Sequence, residues 1–269
     1  MTPEQRELRD ALRDTLRSFK AEVISKNERR DVADNLSDFD RGGKIFEAFL
    51  VMRLKRYFQQ MGAHTEIRDA SGNETDVLLL RGGPGYLRRA TGRRVYSTPG
   101  HISVSFPEGA LFELHNSVEW PDHVAGGSET HELDVSMART EQCDALVRWY
   151  RRRTDPPSPS LGLEAKFHGR EPVKELARSV TGLALRLGVA LVYLVTSTVP
   201  GRSIMRQLES LKGQRLVGQP VADAAALSVR LVNGEIDASD LVRIVDNFIG
   251  HLGNSADPEA TGRSDLERA

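Results

Sequence analysis

Two stretches of this chain alternate in polarity so regularly that they read as sheet strands with one buried face. In Leu161-Gly162-Leu163-Glu164-Ala165-Lys166-Phe167 the large apolar residues take every second place, with Glu164 and Lys166 between them. Successive strand side chains point to opposite faces, so the acid and the amine share one face. Upstream, His131-Glu132-Leu133-Asp134-Val135 repeats the arrangement, placing Leu133, Val135 and Met137 on one side and Glu132, Asp134 and Ser136 on the other. An Asp, a Glu and a Lys disposed in this way have the donors to hold a divalent cation and a water.

Composition bounds what can be built around this pair. At 269 residues and 39% hydrophobic, the chain has material for one substantial domain or two small ones. No run of 18 apolar residues occurs, and the opening MTPEQRELRDALRDTLR is charged where a signal peptide would be apolar. A cytoplasmic setting with no membrane partner is therefore expected. Cys143 is the single cysteine, with no ligand-like spacing to another, which excludes disulfide frameworks and thiolate zinc sites. A formal net charge of -1 provides no global basic footprint, so any nucleic-acid surface must be local.

Leu8, Ala11, Leu12, Leu16, Phe19 and Val23 predict an amphipathic helix over 3–26, followed by a polar break at 27–40. Leu50, Val51, Leu54 and Phe58 predict a second helix from Gly42 to Met61. Projected back one turn, that stripe contains Glu47, a carboxylate costly to bury unless paired or metal-bound. Segments 64–68, 75–81, 101–106 and 111–119, broken by Gly, Pro and Asn, predict antiparallel strands and hairpins. A short helix at 140–153 and a loop at 154–160 lead into the Glu164 strand. Pro172 opens a helix with Leu176, Ala177, Val180 and Leu187 inward, Gly188 stops it, and an apolar strand runs from Val189 to Thr196. Residues 202–212 and 221–233 read as helical, Asn233-Gly234 as a turn, 240–251 as a helix capped by Asp237 or Ser239, and 253–269 as a frayed tail.

This order of elements, with Glu47, Asp134, Glu164 and Lys166 in their places, resembles the PD-(D/E)xK phosphodiesterase superfamily, the restriction-endonuclease-like fold. The strings Arg81-Gly82-Gly83-Pro84-Gly85, Phe112-Glu113-Leu114-His115, His131 to Val135 and Leu163 to Phe167 look like an uncharacterised, largely actinobacterial group within it. The resemblance covers roughly residues 40–200 and implies an α/β (α+β) fold. In it an αβββαβ core, with a mixed central sheet flanked by helices, carries N- and C-terminal helical additions. The implied division is 1–40 for the N-terminal helix and connector, 41–200 for the nuclease-like core, 201–252 for a C-terminal helical extension and 253–269 for a flexible tail. The Asp lacks the preceding Pro common in the superfamily, and 139–160 must be an insertion.

Phosphodiester hydrolysis needs charge neutralised on phosphate oxygens and a nucleophilic water, and Mg²⁺ or Mn²⁺ held by carboxylates supplies both. The resemblance implies that Asp134 and Glu164, with the Ala165 carbonyl, ligate the metal. Lys166 would position or help deprotonate the water and stabilise developing charge. Glu47 would orient Lys166 or serve a second metal, and Glu113, sharing its strand face with His115, rivals or supplements it as a metal ligand.

For nucleic-acid contact the local candidates are Arg88, Arg89, Arg93 and Arg94, in a loop with Tyr86 and Tyr96, and then Lys174 and Arg178 one turn apart on a helix. Asp76 is the decoy for Asp134, placed beside a Gly-Asn turn, while His115 and His131 are phosphate contacts or ordinary strand residues. The expected function is a Mg²⁺-dependent endonuclease acting on DNA in bacterial defence, restriction or repair, with a homodimer and a partner protein supplying specificity as the candidate assemblies. The alternative is a nucleic-acid-binding or assembly subunit that keeps the fold without cutting. An unrelated α/β fold would leave Glu47, Asp134, Glu164 and Lys166 scattered.

Overall fold

The computed structural model describes residues 2–19, 22–25, 30–31, 43–126, 129–153, 155–167 and 174–255. Most of the polar break expected at 27–40, the helix start expected at Pro172 and the tail from 256 lie outside the described residues. Thr2 caps the first helix, α1 (Pro3–Arg17): its hydroxyl accepts from Gln5 N at 3.3 Å while Gln5 Oε1 accepts from Thr2 N at 2.8 Å. The predicted extension to residue 26 does not occur, because β-branched Val23 and Ile24 leave the helix for a strand, β1 (Glu22–Ser25), paired with β2 (Arg30–Asp31). The second helix, α2 (Gly43–Gln60), buries Ile45 to Met52, Leu54 and Phe58.

From there the chain builds strands β3 (His64–Arg68), β4 (Val77–Leu80), β5 (His101–Ser105), β6 (Leu111–Pro121) and β7 (Thr130–Arg139). Helix α3 (Thr140–Arg152) follows, then β8 (Leu161–Lys166), α4 (Lys174–Leu187), β9 (Leu191–Thr196) and α5 (Arg202–Glu209). The chain closes with β10 (Asp223–Ser228), the hairpin β11 (Arg230–Val232) and β12 (Glu235–Asp237), and α6 (Val242–Ser255). Asn233 and Gly234, at φ 52° and 80°, make the hairpin turn, a backbone geometry these two residues tolerate best.

Seven strands form one mixed sheet in the order β10-β9-β8-β7-β6-β5-β3, parallel from β10 to β8 and antiparallel from β8 to β3. Helices α2 and α6 cover one face, with α1 packed on α2, and there Phe58 packs edge to face with Phe106 and Phe248, as does Phe112 with Phe248. Helices α3, α4 and α5 cover the other, around Trp120, Trp149, Leu146 and Val180. The fold is thus α/β with a mixed central sheet flanked by helices.

Residues 221–233 depart from the helical expectation. The Ala224-Ala225-Ala226-Leu227 run favours helix intrinsically, yet it pairs in parallel with β9 as the seventh strand. Ala224 belongs to one core and Ala225 and Leu227 to the other, so tertiary burial on both faces overrides local propensity. The expected C-terminal helical extension therefore contributes a strand to the main sheet and a hairpin as well as helices.

Candidate active site

Strands β7 and β8 run antiparallel with Val135 opposite Leu163, which sets Asp134 beside Glu164 and Lys166. Asp134 Oδ2 accepts from the backbone N of Ala165 at 2.8 Å and from Lys166 Nζ at 3.0 Å. Lys166 Nζ also lies 2.5 Å from Glu164 Oε1, so one ammonium sits between two carboxylates from neighbouring strands. Between the strands Gly162 leaves room for the Leu133 side chain, whose Cδ1 would stand 2.9 Å from a Cβ there.

Glu47 reaches the same place from α2 and is 7% exposed. Lys44, one turn earlier, donates to its two oxygens at 2.8 and 2.7 Å, and the Ser117 hydroxyl donates to Oε2 at 3.0 Å. Asn116 Nδ2 lies 3.4 Å from the same oxygen and holds the Arg81 carbonyl at 2.9 Å. Ser117 itself has φ 48°, a left-handed conformation costly for a non-glycine residue and characteristic of strained functional positions.

That conformation breaks the alternation of β6 and β7. Ladder pairs flank the position, Asn116 with Val135 and Val118 with Leu133, but Ser117 and Asp134 between them form no pair. Leu133 consequently packs in the α3 and α4 core while Val135 and Met137 pack in the α2 core, correcting the simple expectation that all three share a face. Ser136 is fully buried and accepts from Trp120 Nε1 at 3.0 Å, so it too leaves the site.

Burial raises the Glu47 carboxyl from 4.5 to about 7, with the Asp134 charge adding to it and Lys44 opposing. Burial also raises Glu164 to about 7, reinforced by Asp134 and opposed by Lys166. Desolvation works against the Lys166 ammonium, but Glu164 and Asp134 hold its pKa above the ordinary lysine value. Half-buried Glu132 is pushed up by burial, with a further contribution from Asp134. The site therefore carries an excess of carboxylate over cation.

Glu113 does not close this site. It points with His115 toward α3, where Arg89 donates to its two oxygens at 2.6 and 2.8 Å and His115 Nε2 lies 2.9 Å away. Burial opposes ionisation of Glu113, but these partners keep its pKa well below the usual carboxylate range. The same ion pair, extended to Asp144 at 2.8 Å, makes Arg89 a structural cation, unlike its neighbours. Arg88 and Arg94 are exposed and line a cavity of about 370 Å³ with Tyr86, Tyr150 and Arg151, whereas Arg93 lines a different one with Tyr96. Arg178 is exposed and 3.9 Å from Glu175, and the side chain of Lys174 lies outside the described residues. His131 is bonded to buried Asp122 at 2.8 Å, and Asp76 is exposed beside α2, away from Asp134's partners.

Of the predicted catalytic set, the structure joins Asp134, Glu164 and Lys166 directly and brings Glu47 into electrostatic contact through Asp134. Lys44, Asn116 and Ser117 were missed. Lys44 had a signal, its spacing of three residues before Glu47, which on a helix places the pair side by side. Nothing local to Ser117 announces its backbone conformation. Compared with protein-family models, curated proteins and solved structures, the chain has no significant match among any of the three.

Proposed function

We propose that this protein is a metal-dependent nuclease of the PD-(D/E)xK type, hydrolysing phosphodiester bonds in DNA. The observation that carries this reading is Lys166 Nζ lying 3.0 Å from Asp134 and 2.5 Å from Glu164. Two carboxylates close enough to share an ammonium are close enough to share a divalent ion, and their oxygens suit Mg²⁺ or Mn²⁺. Burial, reinforced by the Asp134 charge, raises the pKa values of Glu47 and Glu164, and a bound cation would favour their ionised forms. With β3, β4 and β5 inserted after α2 and α3 inserted after β7, the remaining order α2, β6, β7, β8, α4, β9, with three antiparallel strands and β9 parallel to β8, supports an αβββαβ core.

Asp134 and Glu164 would hold the metal, which when bound would polarise the phosphate and acidify a water. Lys166 donates hydrogen bonds from the rim of the pair, where a water or a phosphate oxygen can replace a carboxylate as its acceptor. Glu47, clamped by Lys44 and Ser117, fixes the negative field around Asp134.

The test is incubation of purified protein with Mg²⁺ or Mn²⁺ and supercoiled, linear, single-stranded and RNA substrates. Cleavage of DNA, lost in Lys166→Ala and Asp134→Ala, is the expected result. Cleavage that survives both substitutions refutes the assignment, and binding of DNA without any cleavage replaces it with a non-cutting subunit.

A further inference from the structure

Glu113 belongs to a second constellation, built from β5, β6 and α3. His101 stands across the ladder from His115, one step beyond the Ile102–Leu114 pair, and Glu113 shares the His115 face two residues away. Glu113 Oε2 lies 2.9 Å from His115 Nε2 and 3.9 Å from His101 Nε2. Cys143 brings its Sγ within 4.0 Å of His115 Nε2 from the overlying helix. None of the four is more than 5% exposed, and His115 Nδ1 is buried without a hydrogen-bond partner. Nε2 of the same ring is the nitrogen that faces Glu113 and Cys143, so it is the atom placed to ligate, while Nδ1 is a buried polar group left without a partner.

We infer that His101, Glu113, His115 and Cys143 form a closed structural site for one zinc-class transition-metal ion. Tetrahedral zinc, with bonds of about 2.0–2.3 Å, sets its ligand atoms about 3.3–3.6 Å apart. The separations of 2.9 and 3.9 Å fall on both sides of that spacing, and the ligand atoms of His101, Glu113 and His115 all lie within 4.8 Å of one another. Cys143 Sγ approaches His115 Nε2 to 4.0 Å and must move inward to complete the set. Two imidazoles, a carboxylate and a thiolate are a borderline-soft donor set, which selects zinc or cobalt over the hard Mg²⁺ suited to Asp134 and Glu164.

Binding breaks the Cys143 S–H bond, forms the sulfur–metal bond and releases the proton to solvent. Thiolate and Glu113 then balance the dication and Asp144 balances Arg89, while buried Arg81 leaves one further positive charge beside the cluster. Arg89, donating to Glu113, acts as the outer partner that orients the ligating carboxylate. This departs from the expectation, drawn from the lone cysteine, that thiolate zinc sites are excluded: the other ligands come from a cross-strand His pair and Glu113, which cysteine spacing does not reveal.

Chelator-treated full-length protein, titrated with Zn²⁺ against a chromogenic competitor and with Co²⁺ by absorption, tests the site. One equivalent of Zn²⁺ is expected to bind in native protein and in an Asp134→Asn, Glu164→Gln double variant. Affinity should fall more than about tenfold in Cys143→Ser and in His101→Gln. The Co²⁺ complex of the native chain should show sulfur-to-metal charge transfer, which needs no variant to interpret and disappears in Cys143→Ser. Absence of that band, or metal binding lost only when Asp134 and Glu164 are changed, overturns the inference.

Discussion

Glu47 offers the sharpest quantitative test of the carboxylate cluster. Holding a carboxyl at about 7 instead of 4.5 means that ionising it inside the fold costs about 3 kcal/mol more than in the unfolded chain. That figure already includes the help from Lys44, and Glu47 is only 7% exposed, so solvent screening reduces it little. Between those two pKa values the native state holds a proton that the unfolded state has lost, so stability must fall as pH rises through this window. The contribution is fully present below the unfolded value and gone above about 7. Glu47→Gln preserves the shape and the acceptor for Ser117 and Lys44 while removing the titration. In metal-free buffer the variant should gain stability over native protein by about 2.5 kcal/mol more at about pH 8.5 than at about pH 5. Urea unfolding of both proteins at the two pH values measures this directly. A gain independent of pH, or a loss that grows with pH, would show that Glu47 is not a desolvated member of an acidic cluster.

Mg²⁺ should raise the melting temperature of native protein more above neutral pH than near pH 5.5, because Glu164 must ionise through about 7 to bind it, and Glu164→Gln should remove the effect in a thermal-shift titration. Lys166→Ala should lower metal-dependent DNA cleavage by about 100-fold or more while Mg²⁺ still binds, as read by cleavage kinetics beside calorimetry. Arg89→Ala should cost about 3 kcal/mol in urea unfolding, since it strands buried Glu113. The paired change Arg88→Glu and Arg94→Glu should leave stability within about 0.5 kcal/mol of native yet weaken DNA binding and flatten its salt dependence in fluorescence anisotropy.

Much of the secondary structure was legible because burial periodicity is a local property. The β3 strand at 64–68, α2 starting near Gly42 and the helix after Asp134 all emerge from spacing alone. The same reasoning failed at 221–233, where alanines carry little periodic information and the parallel partner β9 decides the state. It failed again at Val23, which has helical spacing from Phe19 but pairs in β1, next to β4.

The partnership of Glu164 with Lys166 was determined by the sequence itself, because two residues separated by one position in a strand share a face whatever the strand packs against. Asp134 beside them followed from strand order and was realised by the β7–β8 register. Whether Glu47 or Glu113 completes the set was decided only in three dimensions. Alternation assigns a face but not the neighbours on it. Those neighbours come from the register of β5 on β6, which surrounds Glu113 with His101, His115 and Arg89, and from the left-handed turn at Ser117, which opens the ladder toward Glu47. Both are long-range consequences of how sheet and helices stack, and neither is encoded in any short window of residues.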